Sequence, residues 1–214
     1  VLLLGLTKGS TFISMFLSFG VYWAAFGWPY ALGLVLSIYV HEMGHVIALR
    51  QHGIVASAPM FIPGLGAYVR LRQRIDDPRV DARIGLGGPV GGLAAALVAL
   101  GIAHAGGSIM ALAIARVGGW INLFNLLPIW QLDGGRAFNA LTRAQRGFAT
   151  AGIALALLFT TDGLLVLLLI CAALRTLGQG AEERDRGALW LYLALVAAFS
   201  FLASLPVPLK ALVR

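Results

Sequence analysis

Five consecutive residues near the end of an apolar run, His41-Glu42-Met43-Gly44-His45, carry side chains that could form a metal centre. Side chains four residues apart lie on one face of a helix, so His41 and His45 can each offer a ring nitrogen to one metal ion. Glu42 is then placed to act as general base toward a water molecule at that ion. Zinc in such a site polarises a carbonyl group and lowers the pKa of water toward about 7. The pattern predicts metal-assisted hydrolysis.

The same pattern also arises by chance in soluble proteins, where the polar side chains only pack. Here the surrounding segment is apolar, and a charge in the middle of a membrane helix costs about 3 kcal/mol on insertion scales. Polar clusters in such helices are therefore usually functional, and a packing cluster is the weaker alternative. Catalytic zinc takes three protein ligands. The best third candidate is Asp133, because the glycines of Asp133-Gly134-Gly135-Arg136 permit a tight turn and close backbone approach.

Other titratable residues compete for the third position, and they are His52, His104, Asp162, Glu182 and Glu183. His52 shares a helix face with His45 but falls at or past the predicted membrane interface. His104 and Asp162 belong to the opposite membrane face in the topology below. The two glutamates lie in a charged loop and are expected to be solvated.

The composition points to a lipid environment. The chain has 214 residues, of which 59% are hydrophobic and 12% charged, and its mean hydropathy is +0.87. Soluble domains carry about 25% charged residues. The net charge of +7 comes mostly from arginines in short loops, so it predicts membrane orientation and not nucleic-acid binding. A single cysteine, Cys171, excludes a disulfide within the chain and a cysteine-based zinc site.

Apolar runs of helical length predict an all-α, multi-pass membrane protein with about six or seven spans. Together the spans are expected to form a single domain, residues 1–214. The runs cover about 11–26, 30–49, 84–105, 108–127, 147–160, 164–177 and 188–205. Thr161, Asp162 and Gly163 favour two helices over one long kinked helix between residues 147 and 177. No separate soluble domain and no cleavable signal peptide are expected.

Arginine placement predicts the orientation. With the N-terminus in the cytoplasm, the loops at 50–83, 131–146 and 178–187 are cytoplasmic and hold nearly all the arginines. His45 and Asp133 then lie at the same, cytoplasmic membrane face. Lys210 and Arg214 lie on the outer side and depart from this pattern.

A family resemblance follows from two separate motifs in the correct order. The first is the H-E-x-x-H motif above, and the second is N-x-x-P-x-x-x-x-D-G, matched by residues 125–134. Together they resemble the site-2 protease (M50) family of intramembrane zinc metalloproteases. The resemblance covers about Tyr30 to Ala140 and implies a three-helix catalytic core.

The resemblance implies roles for individual residues. His41, His45 and Asp133 would bind one Zn²⁺ per chain, and Glu42 would be the catalytic base. Asn125 would lie near the metal and polarise the substrate carbonyl, although an asparagine in this helix could equally serve packing. Asn122, nearly one turn earlier, is interpreted as a packing residue.

One position departs from the family pattern. Relatives often carry G-P-x-x-N where this chain has Gly88-Pro89-Val90-Gly91-Gly92, so Gly92 replaces the asparagine. A polar contact to substrate from this helix is therefore not expected, and the glycines allow close helix approach.

The mixed segment between the second and third runs predicts a short β-hairpin. Residues 60–71 contain two apolar stretches around Pro63-Gly64-Leu65-Gly66, followed by alternating side chains. A strand edge near the metal could hold an unwound substrate by β-addition. The alternative is a surface loop that its apolar side chains anchor in the membrane.

Together these features predict an intramembrane zinc endopeptidase in a bacterial-type cell membrane, which hydrolyses peptide bonds in or near the transmembrane segments of membrane-protein substrates. One alternative is a non-catalytic metal-binding membrane protein or pseudoprotease, which would have no need of a base at Glu42. A prenyl-protein endopeptidase is disfavoured by the spacing of the motif and its D-G-G partner.

Overall fold

The protein is described here from a computed structural model that covers residues 2–55, 59–62, 66–68, 75–129, 132–160 and 162–208. These residues form eight helices and two short strands. They are α1 (Leu2–Phe26), α2 (Trp28–Gln51), β1 (Met60–Ile62), β2 (Gly66–Tyr68), α3 (Pro78–Gly106), α4 (Ile109–Asn125), α5 (Asp133–Asn139), α6 (Arg143–Leu157), α7 (Gly163–Leu177) and α8 (Arg186–Ala203).

The helical fold confirms the predicted all-α class. Each helix except the short α5 overlaps one predicted apolar run, and the segment from 147 to 177 forms two helices, as the turn residues predict. Of the described helices, α2, α3 and α8 are long and apolar enough to cross a membrane, while residues 11–26, α4 and α7 are shorter apolar helices.

Local capping chemistry sets where most helices begin. Five helices start after a side chain that accepts a hydrogen bond from the first turn, and these caps are Asp77, Ser108, Thr142, Asp162 and Asp185. Such caps satisfy backbone N–H groups that the helix itself leaves unpaired. Asp162 thus has a structural function at the start of α7.

Glycines bring α2 and α3 into backbone contact. A Cβ atom added to Gly44 would collide with the carbonyl oxygen of Gly87, and one added to Gly91 would lie 2.5 Å from the carbonyl oxygen of Val40. Small residues at a helix interface allow this approach. As a result, the motif of α2 lies directly against the backbone of α3.

The strands β1 and β2 pair antiparallel, with Phe61 opposite Ala67. Strand β1 also contacts α1, because the Thr11 hydroxyl donates to the carbonyl of Pro59 at 2.6 Å and the Phe61 N–H donates to Ser14 Oγ at 3.1 Å. The predicted turn at 63–65 and the segment 69–74 lie outside the described residues.

Helix α8 supports the connection between α4 and α5. Tyr192 is fully buried, and its hydroxyl donates to the carbonyl of Leu126 at 2.8 Å. Its ring packs edge to face on Phe138 of α5, with ring centroids 5.2 Å apart. The largest apolar cluster therefore surrounds the segment that carries Asp133.

Candidate metal centre

His41 and His45 lie one turn apart in the second half of α2, and both are buried. Their four-residue spacing brings the two rings to one face. The Nε2 atoms are 3.2 Å apart. Two imidazole nitrogens therefore point at one location inside the bundle.

Asp133, the first residue of α5, brings a carboxylate to the same location. Its Oδ2 lies 3.3 Å from His41 Nε2, and its Oδ1 lies 3.3 Å from His45 Nε2. The three ligand atoms all fall within 4.8 Å of one another. Among the described residues, no other group of three His, Cys, Asp or Glu side chains converges in this way.

The chain reverses between α4 and α5 to place Asp133. Helix α4 ends at Asn125, before Pro128, whose ring cannot continue a helix without loss of a hydrogen bond. Gly134 then packs on the carbonyl of Leu126, at a distance that leaves no room for a Cβ atom. The glycine beside the aspartate is thus required by close backbone approach.

Each histidine is held through its other ring nitrogen. His41 Nδ1 lies 2.8 Å from the side-chain oxygen of Asn122, and His45 Nδ1 lies 2.8 Å from the carbonyl oxygen of Ile84. Both partners are acceptors, because the Asn122 amide nitrogen donates to Gly118. Both Nδ1 atoms must therefore carry the proton, and in neutral rings the Nε2 lone pairs are free to bind a metal.

This donor set fits a cation. Two Nε2 lone pairs and a carboxylate would repel one another if they converged with nothing between them, whereas a divalent metal ion is attracted to all three. Nitrogen and oxygen ligands of this kind suit Zn²⁺. Metal-binding histidines also typically donate a hydrogen bond from the ring nitrogen that does not bind the metal.

Gly88 of α3 provides the space beside the imidazoles. A Cβ atom added there would collide with Nε2 of His45 and would lie 2.7 Å from Nε2 of His41. A glycine here keeps the coordination position clear. Any larger residue would project into the space in which the three ligand atoms meet.

Glu42 lies beside the centre with only 5% of its surface exposed. Its carboxylate interacts electrostatically with His41, His45 and Asp133. Among the described residues it accepts no hydrogen bond, so its oxygens are free to take a proton. A buried carboxylate next to, and not within, a ligand set is suited to general-base chemistry.

Asn125 and Gly92 are two further positions that the sequence marks on the helices around this centre. Asn125 is the last residue of α4 and is half-buried, and within the described part of the chain its side chain makes no hydrogen bond. The asparagine that contacts a histidine of the centre is Asn122, which also contacts Gly92.

The competing residues lie elsewhere. His52 caps the end of α2 and contacts the carbonyl of Ala48, and His104 is exposed. Asp162 caps α7. Glu183 forms an ion pair with Arg79 at the surface.

Sequence reasoning misses several residues around the centre. Its sequence context predicts a packing role for Asn122, although an asparagine inside an apolar helix close to the second motif is also a signal of a functional residue. Gly88 lies in a glycine-rich segment whose pattern predicts close helix packing and does not indicate a place beside the metal centre. The ion pair between Arg136 and Asp81 joins residues 55 positions apart, so no local pattern marks it.

Comparison with known proteins supports a metalloprotease assignment. The family model for peptidase family M50 matches residues 29–111, a range that includes His41, Glu42 and His45 but ends before Asp133. The chain is 34% identical over 161 residues to Rip3 of Mycobacterium tuberculosis, whose name assigns it to the zinc metalloproteases. It is 25% identical over 166 residues to a zinc metalloprotease of Methanocaldococcus jannaschii.

These alignments cover most of the chain but less of the relatives. The match to Rip3 includes 67% of this chain and 40% of the relative, and the match to the archaeal protein includes 72% of this chain and 48% of the relative. The chain thus spans less than half the length of either protein.

Proposed function

Because this chain belongs to peptidase family M50, the site-2 protease family, we propose that it hydrolyses peptide bonds of membrane proteins. The observation that carries the proposal is the convergence of His41, His45 and Asp133 beside the buried carboxylate of Glu42. A site that only stored or moved metal would have no need of a base at Glu42.

The side chains have separate roles in the proposed reaction. His41, His45 and Asp133 would hold one Zn²⁺, which supplies a Lewis acid that polarises a peptide carbonyl and makes water more acidic. Glu42 removes a proton from the attacking water and delivers it to the leaving amide nitrogen. Asn125, at the end of α4, is proposed to donate a hydrogen bond to the substrate carbonyl, because its amide has no partner among the described residues.

The fold is proposed to cross the membrane about seven times, through all helices except α5, with the N-terminus in the cytoplasm. Among the described helices, α2, α3 and α8 have the length and hydropathy for this, and residues 11–26, α4 and α7 are shorter apolar stretches. The arginine-containing segments around α5 and between α7 and α8 would then share the cytoplasmic side. The centre would lie slightly inside that face of a bacterial-type cell membrane.

Substrate binding would require local unwinding. Helical amides are shielded by their own hydrogen bonds, and the ligands of the centre are almost fully buried. The outer edge of β2 is proposed to pair with an extended substrate segment, because β1 is bonded on one side to β2 and on the other to Ser14. Main-chain pairing would hold the unwound segment independently of its sequence.

The decisive experiment compares membrane-protein fragments in cells that express the wild type or Glu42→Gln. Glu42→Gln should retain one zinc per chain and lose cleavage, because it removes the base and keeps the ligands. Glu183→Gln is the matched control, since that carboxylate lies at the surface in a pair with Arg79. An identical fragment pattern for wild type and Glu42→Gln, with zinc bound in both, would instead indicate a non-catalytic metal-binding protein.

A further inference from the structure

We propose that Asn122 is the positioning residue for the ligand His41, and that the lack of a side chain at Gly92 leaves the space that the Asn122 amide occupies. The inference rests on the proposed metal centre and adds to it a pair of residues on two different helices. Asn122 belongs to α4 and Gly92 to α3, whereas His41 belongs to α2. The pair therefore joins all three helices at one ligand.

The hydrogen bonds of Asn122 allow one orientation of its amide. The side chain is 4% exposed, so water does not compete for its polar atoms. Its nitrogen donates to the carbonyl of Gly118 at 2.8 Å, one turn earlier in α4. Its oxygen accordingly faces His41 Nδ1, also at 2.8 Å. This contact keeps the proton on Nδ1 and leaves the Nε2 lone pair for the metal.

Gly92 makes room for this amide. A Cβ atom added at Gly92 would collide with the oxygen of Asn122 and would lie 2.6 Å from both its carbon and its nitrogen. All three of the nearest atoms belong to the same amide group. A side chain at position 92 and the amide of Asn122 therefore exclude each other from one space beside His41.

The two histidines differ in how they are held. His45 Nδ1 contacts the backbone carbonyl of Ile84, which no substitution of a side chain removes directly. His41 depends on a side chain from another helix. Loss of that side chain frees the His41 ring to rotate or to change tautomer, while His45 stays in place. The expected defect is a centre that has two firm ligands and one poorly oriented ligand.

A role in packing alone predicts different behaviour. Interhelical hydrogen bonds of asparagine stabilise membrane bundles only modestly. Their loss would lower the stability of the metal-free protein and leave the metal affinity of the folded fraction unchanged. Loss of an outer hydrogen bond to a metal-binding histidine typically lowers metal affinity by about 10–100-fold.

The test measures zinc affinity by competition with a chelator on the purified full chain in detergent. Asn122→Leu is similar in size and has no acceptor, and Asn122→Ala is a second variant with the acceptor removed. Both should bind zinc about 10–100-fold more weakly than wild type. The visible spectrum of the Co²⁺-substituted protein should shift, because one nitrogen ligand is displaced. Asn122→Asp retains an acceptor for His41 Nδ1 and should keep zinc affinity near the wild-type value.

An exchange variant tests the part played by Gly92. Gly92→Asn combined with Asn122→Gly brings an amide to the same space from α3, and it should recover zinc affinity relative to Asn122→Ala. Ser200→Ala is the control, because among the described residues that buried hydroxyl bonds only within α8. The melting temperature of the metal-free proteins identifies any variant that is merely unstable.

Wild-type zinc affinity and cobalt spectra in both Asn122→Leu and Asn122→Ala would overturn the positioning role. Failure of the exchange variant to exceed Asn122→Ala would overturn the role of Gly92. These outcomes are separate from failure of the proposed protease. A wild-type protein that binds zinc but cleaves no membrane protein would refute the function and leave the Asn122 measurement intact.

Discussion

Arg136 donates two hydrogen bonds to one carboxylate oxygen of Asp81, with lengths of 2.9 Å from Nε and 2.7 Å from Nη2. Arg136 lies one turn after Asp133 in α5, and Asp81 lies in the first turn of α3. The pair is mostly shielded, with the Arg136 side chain 16% exposed. It therefore joins the helix that carries the third ligand to the helix that lies beside both histidines.

Arg136→Gln should weaken zinc binding by roughly tenfold, because α5 loses its polar attachment to α3 and Asp133 becomes less well oriented. The measurement is zinc affinity by chelator competition. Arg79→Gln is the matched control, since Arg79 also projects from α3 into an ion pair but its partner Glu183 is 79% exposed. Exposed pairs contribute little. Equal zinc affinity in the two variants would contradict a role for the Asp81 pair in ligand placement.

Asp133→Ala should reduce bound zinc to a small fraction of one ion per chain, because only two protein ligands remain. Metal content of the purified protein provides the measurement. Asp162→Ala is the control, since this aspartate caps α7 and should lose about 1 kcal/mol of stability with no loss of zinc. Full zinc occupancy in Asp133→Ala would remove Asp133 from the ligand set.

Gly88→Ala should abolish zinc binding, because the new methyl group would collide with Nε2 of His45, the nitrogen proposed to bind the metal. Gly101→Ala is the matched control in the same helix, where no atom of the described residues lies within 4 Å of the added carbon. It should bind zinc normally and melt at the same or a higher temperature, since alanine favours helix over glycine. If Gly88→Ala retained zinc and activity, the space beside the imidazoles would be wide enough for a methyl group, and a glycine would not be required there.

Ser14→Ala should impair cleavage without loss of zinc. The variant removes the acceptor for the Phe61 N–H and so loosens β1, which carries the proposed substrate-binding strand β2. The expected effect is a higher KM for a membrane substrate, of severalfold, at unchanged metal content. Ser37→Ala is the control, because its hydroxyl bonds only to Gly33 of α2 in the part of the chain that the structure describes. An unchanged KM in Ser14→Ala would contradict a role for β1 and β2 in substrate binding.

Local patterns in the sequence account for the helices and for part of the centre. Apolar runs predict helices because a membrane span must satisfy its own backbone hydrogen bonds. The four-residue spacing of His41 and His45 predicts one shared face, since this is the period of the helix. Asp133 could be proposed as the third ligand because the motif that contains it is recognisable and its predicted membrane face matches that of His45.

The amide that holds His41 could not be chosen from the sequence. Asn122 and Asn125 are three residues apart on one helix, and either could be predicted to face the metal. The choice depends on the rotation of α4 about its axis, which packing against α2, α3 and α8 decides. The role of Gly92 could not be predicted either, because the sequence does not show which residue of another helix fills the space beside it.

The sequence by itself determined which groups are available for the proposed chemistry: two imidazoles and a carboxylate at fixed helical spacing, a second carboxylate beside glycines, and an apolar chain around them. Only the tertiary structure decided how those groups are held, through Asn122 on His41, Ile84 on His45 and Asp81 on Arg136. The physical reason is range. Helical periodicity acts over one turn and can be recognised from neighbouring residues. These contacts join residues 39 to 81 positions apart and form only when the helices pack.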